Sequence, residues 1–402
     1  MSATFEPLPA LLRDAGQAGQ PTAEIVDGDL RYFVNAFWTA GQRQAHRLHE
    51  ISYRACFKPQ LPAFLIDRLT APGGTVYDPF SGRGTTALQA ALMGRRPVAN
   101  DISPLGAMLL APRLAPPPLA AIAGRLDALD LAHAAADPPP PELLAFFHPD
   151  TLRRIAALRA HLLARDRLDA VDAWLRMVAL NRLTGHSPGF FSVYTLPPNQ
   201  ATSPAAQLRI NAARRQTPPP RDVAQLILAK SASLLADGAP PPHPPPLLMT
   251  RPAHDTPALA AGSVDLIVTS PPFLDVVDYR GDNWLRCWFA GIDPTCVALA
   301  RHRDIAAWER FVRGAFAEFA RVLRPGGMVA FEVGEVRRGR VLLERHVVSA
   351  IAGLPFRVHG VMLNRQRFTK TAQCWGVANN ADGTNSNRIV LAERADCQGS
   401  ES

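Results

Sequence analysis

The sequence predicts an α/β fold: a mostly parallel sheet ended by an antiparallel pair and interrupted by a mainly helical insertion. Three observations carry this. Short apolar runs bounded by Gly, Pro or Asp stand at residues 75–78, 97–101, 264–269 and 328–333, with helical patterns at 85–93 and 306–323 beside them; short buried strands alternating with helices build parallel sheets. Two late segments with strand character, 356–363 and 388–392, suit an antiparallel closing pair. Proline runs at 116–118, 138–141, 218–220 and 240–246 fence off a middle block, where 151–163, 168–183 and 223–235 repeat apolar residues at helical spacing.

The 402 residues, 47% hydrophobic and 19% charged, exclude a fibrous or wholly disordered chain. The formal charge is +8, and the 43 basic residues include only three lysines, Lys58, Lys230 and Lys370. A field of that sign attracts phosphate backbones. The five cysteines contain no CxxC pair, so neither a disulfide framework nor a metal site is expected. The longest apolar stretch, 105–124, is broken by Arg113 and four prolines and predicts no membrane span. With no secretory pattern near the start, the expected location is cytoplasmic.

The first expected strand, 75–78, runs into Asp78-Pro-Phe-Ser-Gly-Arg-Gly-Thr-Thr86. Gly82 and Gly84 permit positive φ and lack a Cβ, so a ligand can approach the main chain where Thr85 and Thr86 open a helix. Asp101 ends the second strand, about 20 residues on, and is placed to bind ribose hydroxyls. Dinucleotide enzymes use the same device, but the third glycine of their fingerprint is missing here. Asp78 suits an ammonium and Phe80 an adenine face, which fit S-adenosylmethionine better than a pyrophosphate.

The strand at 264–269 ends in Thr269-Ser-Pro-Pro-Phe273. Two prolines make a rigid loop at the carboxyl end of a buried strand, where open α/β sheets bind ligands. Ser-Pro-Pro-Phe resembles the (Ser/Asp/Asn)-Pro-Pro-aromatic signature of the DNA amino-methyltransferases, which implies an exocyclic base amine as acceptor, a poor nucleophile because its lone pair is delocalised into the ring. Ser270 Oγ and the Pro271 carbonyl, as acceptors, are suited to hold both amine hydrogens and favour a tetrahedral nitrogen. Phe273 is suited to stack on a base taken out of its helix. No cysteine follows a proline, which argues against cytosine C5 methylation.

Together the two motifs resemble those of the DNA amino-methyltransferases, which methylate N6 of adenine or N4 of cytosine. The resemblance implies a class I (Rossmann-like) methyltransferase sheet of seven strands with the last antiparallel, S-adenosylmethionine as cofactor, and direct transfer to a flipped base in DNA. Serine in the first place of Ser270-Pro-Pro-Phe273, after Thr269, is more usual in cytosine-N4 enzymes, so N4 is favoured. Adenine N6, an RNA base amine, and a DNA-binding protein that keeps cofactor without catalysis are the alternatives. The resemblance further implies cofactor contacts from Asp78, Phe80, Gly82, Gly84, Thr85, Thr86, Asp101 and Ile102. Phe57 and Lys58 upstream, and Asp255 beyond a third strand at 247–250, join them. Ser270, Pro271, Pro272 and Phe273 would be catalytic, with Asp275, Asp278 and Tyr279 near the target pocket.

Positive charge concentrates at 209–230 and 337–370. Arg209, Arg214, Arg215, Arg337, Arg338, Arg340, Arg365 and Arg367 are therefore expected to meet phosphates and guanine edges. The organisation expected is an N-terminal extension (1–46), a catalytic domain (47–114 and 247–394), an insertion (115–246) assigned to target recognition with Asn199, Gln200 and Gln207, and a tail (395–402). The partner expected is DNA, at the nucleoid of a prokaryote or a phage-infected cell.

Overall fold

The computed structural model describes residues 12, 21–38, 45–53, 56–132, 138–195, 201–274, 279–297, 302, 304–336, 341–365 and 386–396. It opens with a hairpin, β1 (Ala23–Asp27) and β2 (Leu30–Asn35), turned at Gly28 (φ 61°). Then come α1 (Gln60–Leu69), β3 (Thr75–Asp78), α2 (Thr85–Leu92), β4 (Arg96–Asn100) and α3 (Pro104–Leu114). Five more helices follow: α4 (Leu119–Ala128), α5 (Pro149–Leu163), α6 (Ala170–Leu180), α7 (Pro204–Arg214) and α8 (Val223–Leu234). The chain returns through β5 (Leu247–Met249), β6 (Val264–Thr269), α9 (Tyr279–Ala290), α10 (Ile305–Val322) and β7 (Leu323–Val333). After a small ribbon of β8 (Glu335–Val336) and β9 (Val341–Leu342) it ends in α11 (Leu343–Ile351), β10 (Phe356–Arg365) and β11 (Ser386–Arg394).

Nine strands share one sheet in the order β1-β2-β10-β11-β7-β6-β3-β4-β5. From β10 to β5 this is a class I methyltransferase sheet: five parallel strands, then β11 antiparallel to both β7 and β10. The stretch expected to be an N-terminal extension supplies the other two strands. β2 adds to β10 in parallel, burying Tyr32 and Val34 on one face and Phe33 on the other. Its approach requires Gly360, because a Cβ there would lie 2.5 Å from the Arg31 carbonyl oxygen.

Alternation along the strands sends successive side chains to opposite faces. Tyr77, Ile267, Val329 and Phe331 pack in one core with Phe316 and Phe319 of α10 and Val347 of α11. Val76, Leu266, Val268 and Ala330 join Leu65 and Ile66 of α1 in another. The helices between β4 and β5 begin where the sequence supplies caps. Asp169 Oδ1 accepts from Asp172 N at 2.8 Å, Asp222 Oδ1 from Gln225 N at 3.0 Å, and Pro149 and Pro204 open α5 and α7. The four proline runs fall between elements or, at Pro141, at the start of a 3-10 turn. Trp174, Leu175 and Ile227 of the inserted helices share a third core with Leu88 of α2, Leu109 and Leu110 of α3 and Phe289 of α9. Among the described residues no helix is long and apolar enough to cross a membrane.

The hairpin is tied down at its exit. Asn364, fully buried in β10, accepts from Phe37 N at 2.8 Å and Trp38 N at 3.4 Å through Oδ1. Asn364→Ala strands these two amides. It should cost about 2 kcal/mol in a urea titration and speed hydrogen exchange at Phe37.

Candidate active site

The carboxyl ends of β3, β4, β5 and β6 open onto a cavity of about 310 Å³. It lies where the sheet order reverses, with β4 and β5 on one side of β3 and β6 and β7 on the other, the place ligands occupy in open α/β sheets. Phe57, Asp78, Phe80, Gly82, Thr85, Asp101, Ile102, Ser270 and Pro272 line it, so the glycine turn and the proline loop face one space.

Asp78 joins the two. It is 1% exposed, and its Oδ1 accepts from Thr269 Oγ1 at 2.6 Å and Phe80 N at 3.2 Å. Thr86, fully buried behind the turn, donates to the Val268 carbonyl at 3.0 Å. Burial pushes the Asp78 carboxyl up to about 7, outweighing the hydrogen bonds that lower it.

Gly82 and Gly84 both have positive φ, 51° and 79°, for different reasons. Gly82 N donates to Asp101 Oδ2 at 2.7 Å while Ser103 N donates to Oδ1 at 2.9 Å. The turn and the start of α3 thereby orient the acid, and a carboxylate accepting two such bonds retains lone pairs for a ligand. Burial raises this carboxyl as well. Gly84 serves packing, since a Cβ there would come within 2.7 Å of Leu110 Cδ1. Asn100 fastens the next loop: its Nδ2 donates to the Pro79 and Arg251 carbonyls at 3.2 and 2.9 Å, and its Oδ1 accepts from Arg251 N at 3.1 Å.

Ser270 is hydrogen-bonded to the carboxylate of Glu332, a residue that sequence reasoning missed. Thr269 pairs with Phe331 across β6 and β7, which sets Ser270 and Glu332 one step beyond. Glu332 is buried, and Asn387 Nδ2 of β11 donates to its Oε1 at 3.0 Å. Burial raises the Glu332 carboxyl, and the bonds from Ser270 and Asn387 pull it down. An acid inside the apolar run 328–333 was the available signal, because buried carboxylates are rare unless partnered.

Three buried arginines hold the segment that leads into the cavity wall. Arg113 Nη1 donates to Leu48 O at 3.1 Å, Arg83 Nη1 to Ile51 O at 2.6 Å, and Arg286 Nη2 to Ser52 O at 3.0 Å. They come from α3, the glycine turn and α9. Arg113 also donates to the Arg83 carbonyl, and burial, reinforced by the Arg83 charge, pushes Arg113 down to about 9. Tyr53, Cys56 and Phe57, just downstream, face the cavity.

Other residues chosen from the sequence lie elsewhere. Pro271 is buried behind the loop, and Phe273 packs on Gly334, where a Cβ would be 2.7 Å from its ring. The aromatic wall of the cavity comes from Phe80 and Phe311, with centroids 5.4 Å apart, and from His302, 4.9 Å from Phe311. Lys58 is half-buried outside the wall, with its ammonium lowered by burial. Asp255 is exposed and ion-paired with Arg251, while Arg251 and His254 line the cavity in its place. Arg209, Arg214 and Arg215 are exposed on α7 and at its end, and Arg365 is exposed at the end of β10. Arg337, Arg338, Arg340, Arg367, Asn199, Gln200, Asp275 and Asp278 lie outside the described residues.

The buried Asp78 makes stability depend on pH. Its folded value is above the 3.8 of an exposed carboxyl, so between about 4 and 7 the folded state binds more protons than the unfolded one and loses stability as pH rises. Asp78→Asn keeps an acceptor for Thr269 and removes the buried charge. It should raise unfolding free energy by about 2 kcal/mol at pH 8, once the amide's own burial is offset. The gain should fade toward pH 4 in parallel thermal melts.

Among solved structures the chain is similar to TrmN from Thermus thermophilus, with 14% identity over 87% of this chain and 51% of that one, at a TM-score of 0.31. It therefore spans about half of TrmN. It is also similar to the rRNA methyltransferase AviRa from Streptomyces viridochromogenes (14%, 89% and 92%, TM-score 0.32). A third is geranyl diphosphate C-methyltransferase from Streptomyces coelicolor A3(2) (10%, 83% and 80%, TM-score 0.32). No curated protein matches significantly. Residues 28–105 match the family model for N6/N4 methyltransferases, described as DNA methylase. The matched stretch runs from the hairpin turn through the glycine turn to the start of α3 and is similar to that family over about a fifth of the chain.

Proposed function

We propose that the chain transfers a methyl group from S-adenosylmethionine to the exocyclic N4 amine of cytosine in DNA, on a base turned out of the helix. The observation that carries this reading is that the glycine turn and the Ser270-Pro-Pro-Phe273 loop face a single cavity and are joined through Asp78 and Thr269.

The residues present fit the cofactor. Asp78 would hold its ammonium, Asp101 its ribose hydroxyls, and Phe80 and Ile102 its adenine faces. When bound, S-adenosylmethionine supplies an activated methyl on a sulfonium. Ser270 supplies the acceptor for the amine. With Glu332 ionised, the Ser270 hydroxyl proton is committed to that carboxylate and the Oγ lone pairs turn toward the cavity. Phe311 and His302 give the walls a planar base can stack on.

The exposed Arg209, Arg214 and Arg215 support a nucleic-acid face. Arg214 lies over the Tyr194 ring at 3.8 Å. The segment leading into α7 is bound to α9, where Trp284 Nε1 donates to the Ala201 and Thr202 carbonyls, each at 3.3 Å. α9 also places Arg280 and Asn283 on the cavity wall, so the basic surface and the site share one scaffold.

Incubation with labelled cofactor on DNA and on RNA, followed by nucleoside mass spectrometry, should yield N4-methylcytosine from DNA. Label only in N6-methyladenine, or only in RNA, overturns the assignment. Ser270→Ala and Glu332→Gln should each lower kcat about a hundredfold with cofactor affinity unchanged, whereas Asp78→Asn should weaken cofactor binding. Replacing Arg209, Arg214 and Arg215 together by Ala should reduce the slope of log K for DNA against log salt by about 2 to 3.

A further inference from the structure

We propose that Trp308 is a positioning residue for methyl transfer, acting by removing the last torsional freedom of the Pro271-Pro272 pair in the Ser270-Pro-Pro-Phe273 loop; this rests on the reading of that loop as catalytic. Trp308 stands in the first turns of α10, fully buried in the core that also holds Leu274, Phe331 and Val333. Its Nε1 donates to the Pro272 carbonyl at 3.0 Å. A buried indole N–H takes a partner wherever one is offered. The partner here is the main chain of the loop, inside an otherwise apolar cluster.

The torsions show why this contact matters. The rings of Pro271 and Pro272 lock φ at both residues. Ser270 and Pro271 each precede a proline, which confines ψ at both to extended values. Within the two prolines only ψ of Pro272 is left free by the sequence, and that angle sets where the Pro272 carbonyl points. The Trp308 bond fixes it. At the loop's other end Glu332 holds the Ser270 side chain. The loop is therefore restrained by a carboxylate from β7 at its first residue and by an indole from α10 at its third.

The same helix carries the restraint into the cavity. Phe311, about one turn after Trp308, lines the wall against Phe80 and His302. A shift of α10 would move the aromatic wall and the pinned loop together. Holding an acceptor in place matters in a reaction where misplacement by about 1 Å costs on the order of a hundredfold in rate. Trp308 does not itself line the cavity, so its effect passes through Pro272, which does.

The test is Trp308→Phe, which keeps the aromatic bulk and removes the donor, measured alone and with Pro272→Gly in a double-mutant cycle. Trp308→Phe should lower kcat about tenfold or more while the cofactor Kd stays within about twofold. In the Pro272→Gly background, where the loop is already loose, the same substitution should cost less than about twofold. An unchanged kcat, a loss in cofactor affinity matching the loss in kcat, or fully additive effects would each overturn the proposal. A second arm requires no activity: the Trp308 indole N–H resonance, assigned among the six tryptophans by backbone-to-indole correlation in the wild-type chain, should resist hydrogen exchange in the chain without added ligand. Rapid exchange there refutes the pin, and decides the matter if Trp308→Phe does not fold. A wild-type chain that methylates no nucleic acid instead defeats the functional reading, and the indole arm then decides the pin by itself.

Discussion

The hydrogen bond from Thr269 to Asp78 is the contact on which the site depends. It joins the ends of β6 and β3, neighbours in the sheet that are separated in sequence by the whole inserted block. The sheet order reverses at this pair, so the two loops that leave it diverge and enclose a cavity. The burial of Asp78 has an electrostatic cost that the bond only partly offsets. Asp78 is buried so completely that its carboxyl is pushed up to about 7, and an ammonium is the kind of ligand that would relieve it.

Rigidity around the cavity comes from polar groups working inside apolar packing. Ser270, just past β6, and Glu332, Asn387 and Asn364, on β7, β11 and β10, stand near the carboxyl edge of the sheet. Hydrogen bonds run from Ser270 and Asn387 to Glu332, and from the exit of the N-terminal hairpin to Asn364. The hairpin is thus held to β10 by the Asn364 side chain as well as by strand pairing. On the cofactor side, Arg83, Arg113 and Arg286 hold the main chain of the segment entering the cavity wall. Guanidinium groups suit this work because their several donors lie in one rigid plane.

The inserted helices are integral to this arrangement. They share a core with α2, α3 and α9, so the surface bearing Arg209, Arg214 and Arg215 is built onto the same packing that supports the glycine turn. Their limits were legible because prolines fall between elements and Ser, Asp and Pro open them. The hairpin was harder to see. Its turn carries a signal in Gly28-Asp29, but β1 is exposed along its length and β2 is buried only because β10, more than 300 residues later, lies beside it. A strand whose burial is supplied by a distant partner leaves little periodic pattern of its own.

The sequence by itself determined the parallel sheet with its antiparallel close, the cofactor-type turn at Asp78–Thr86 and the proline loop at 270–273, because short-range chemistry writes these: glycines where φ must be positive, prolines where a loop must be stiff, an acid at a strand end. Tertiary structure alone decided which of the named residues face the cavity. It turned Phe273 onto Gly334, brought Phe311 and His302 forward, and set Glu332 and Trp308 against the loop. Those outcomes depend on strand register and on the seating of α10, and both follow from long-range packing that no local pattern encodes.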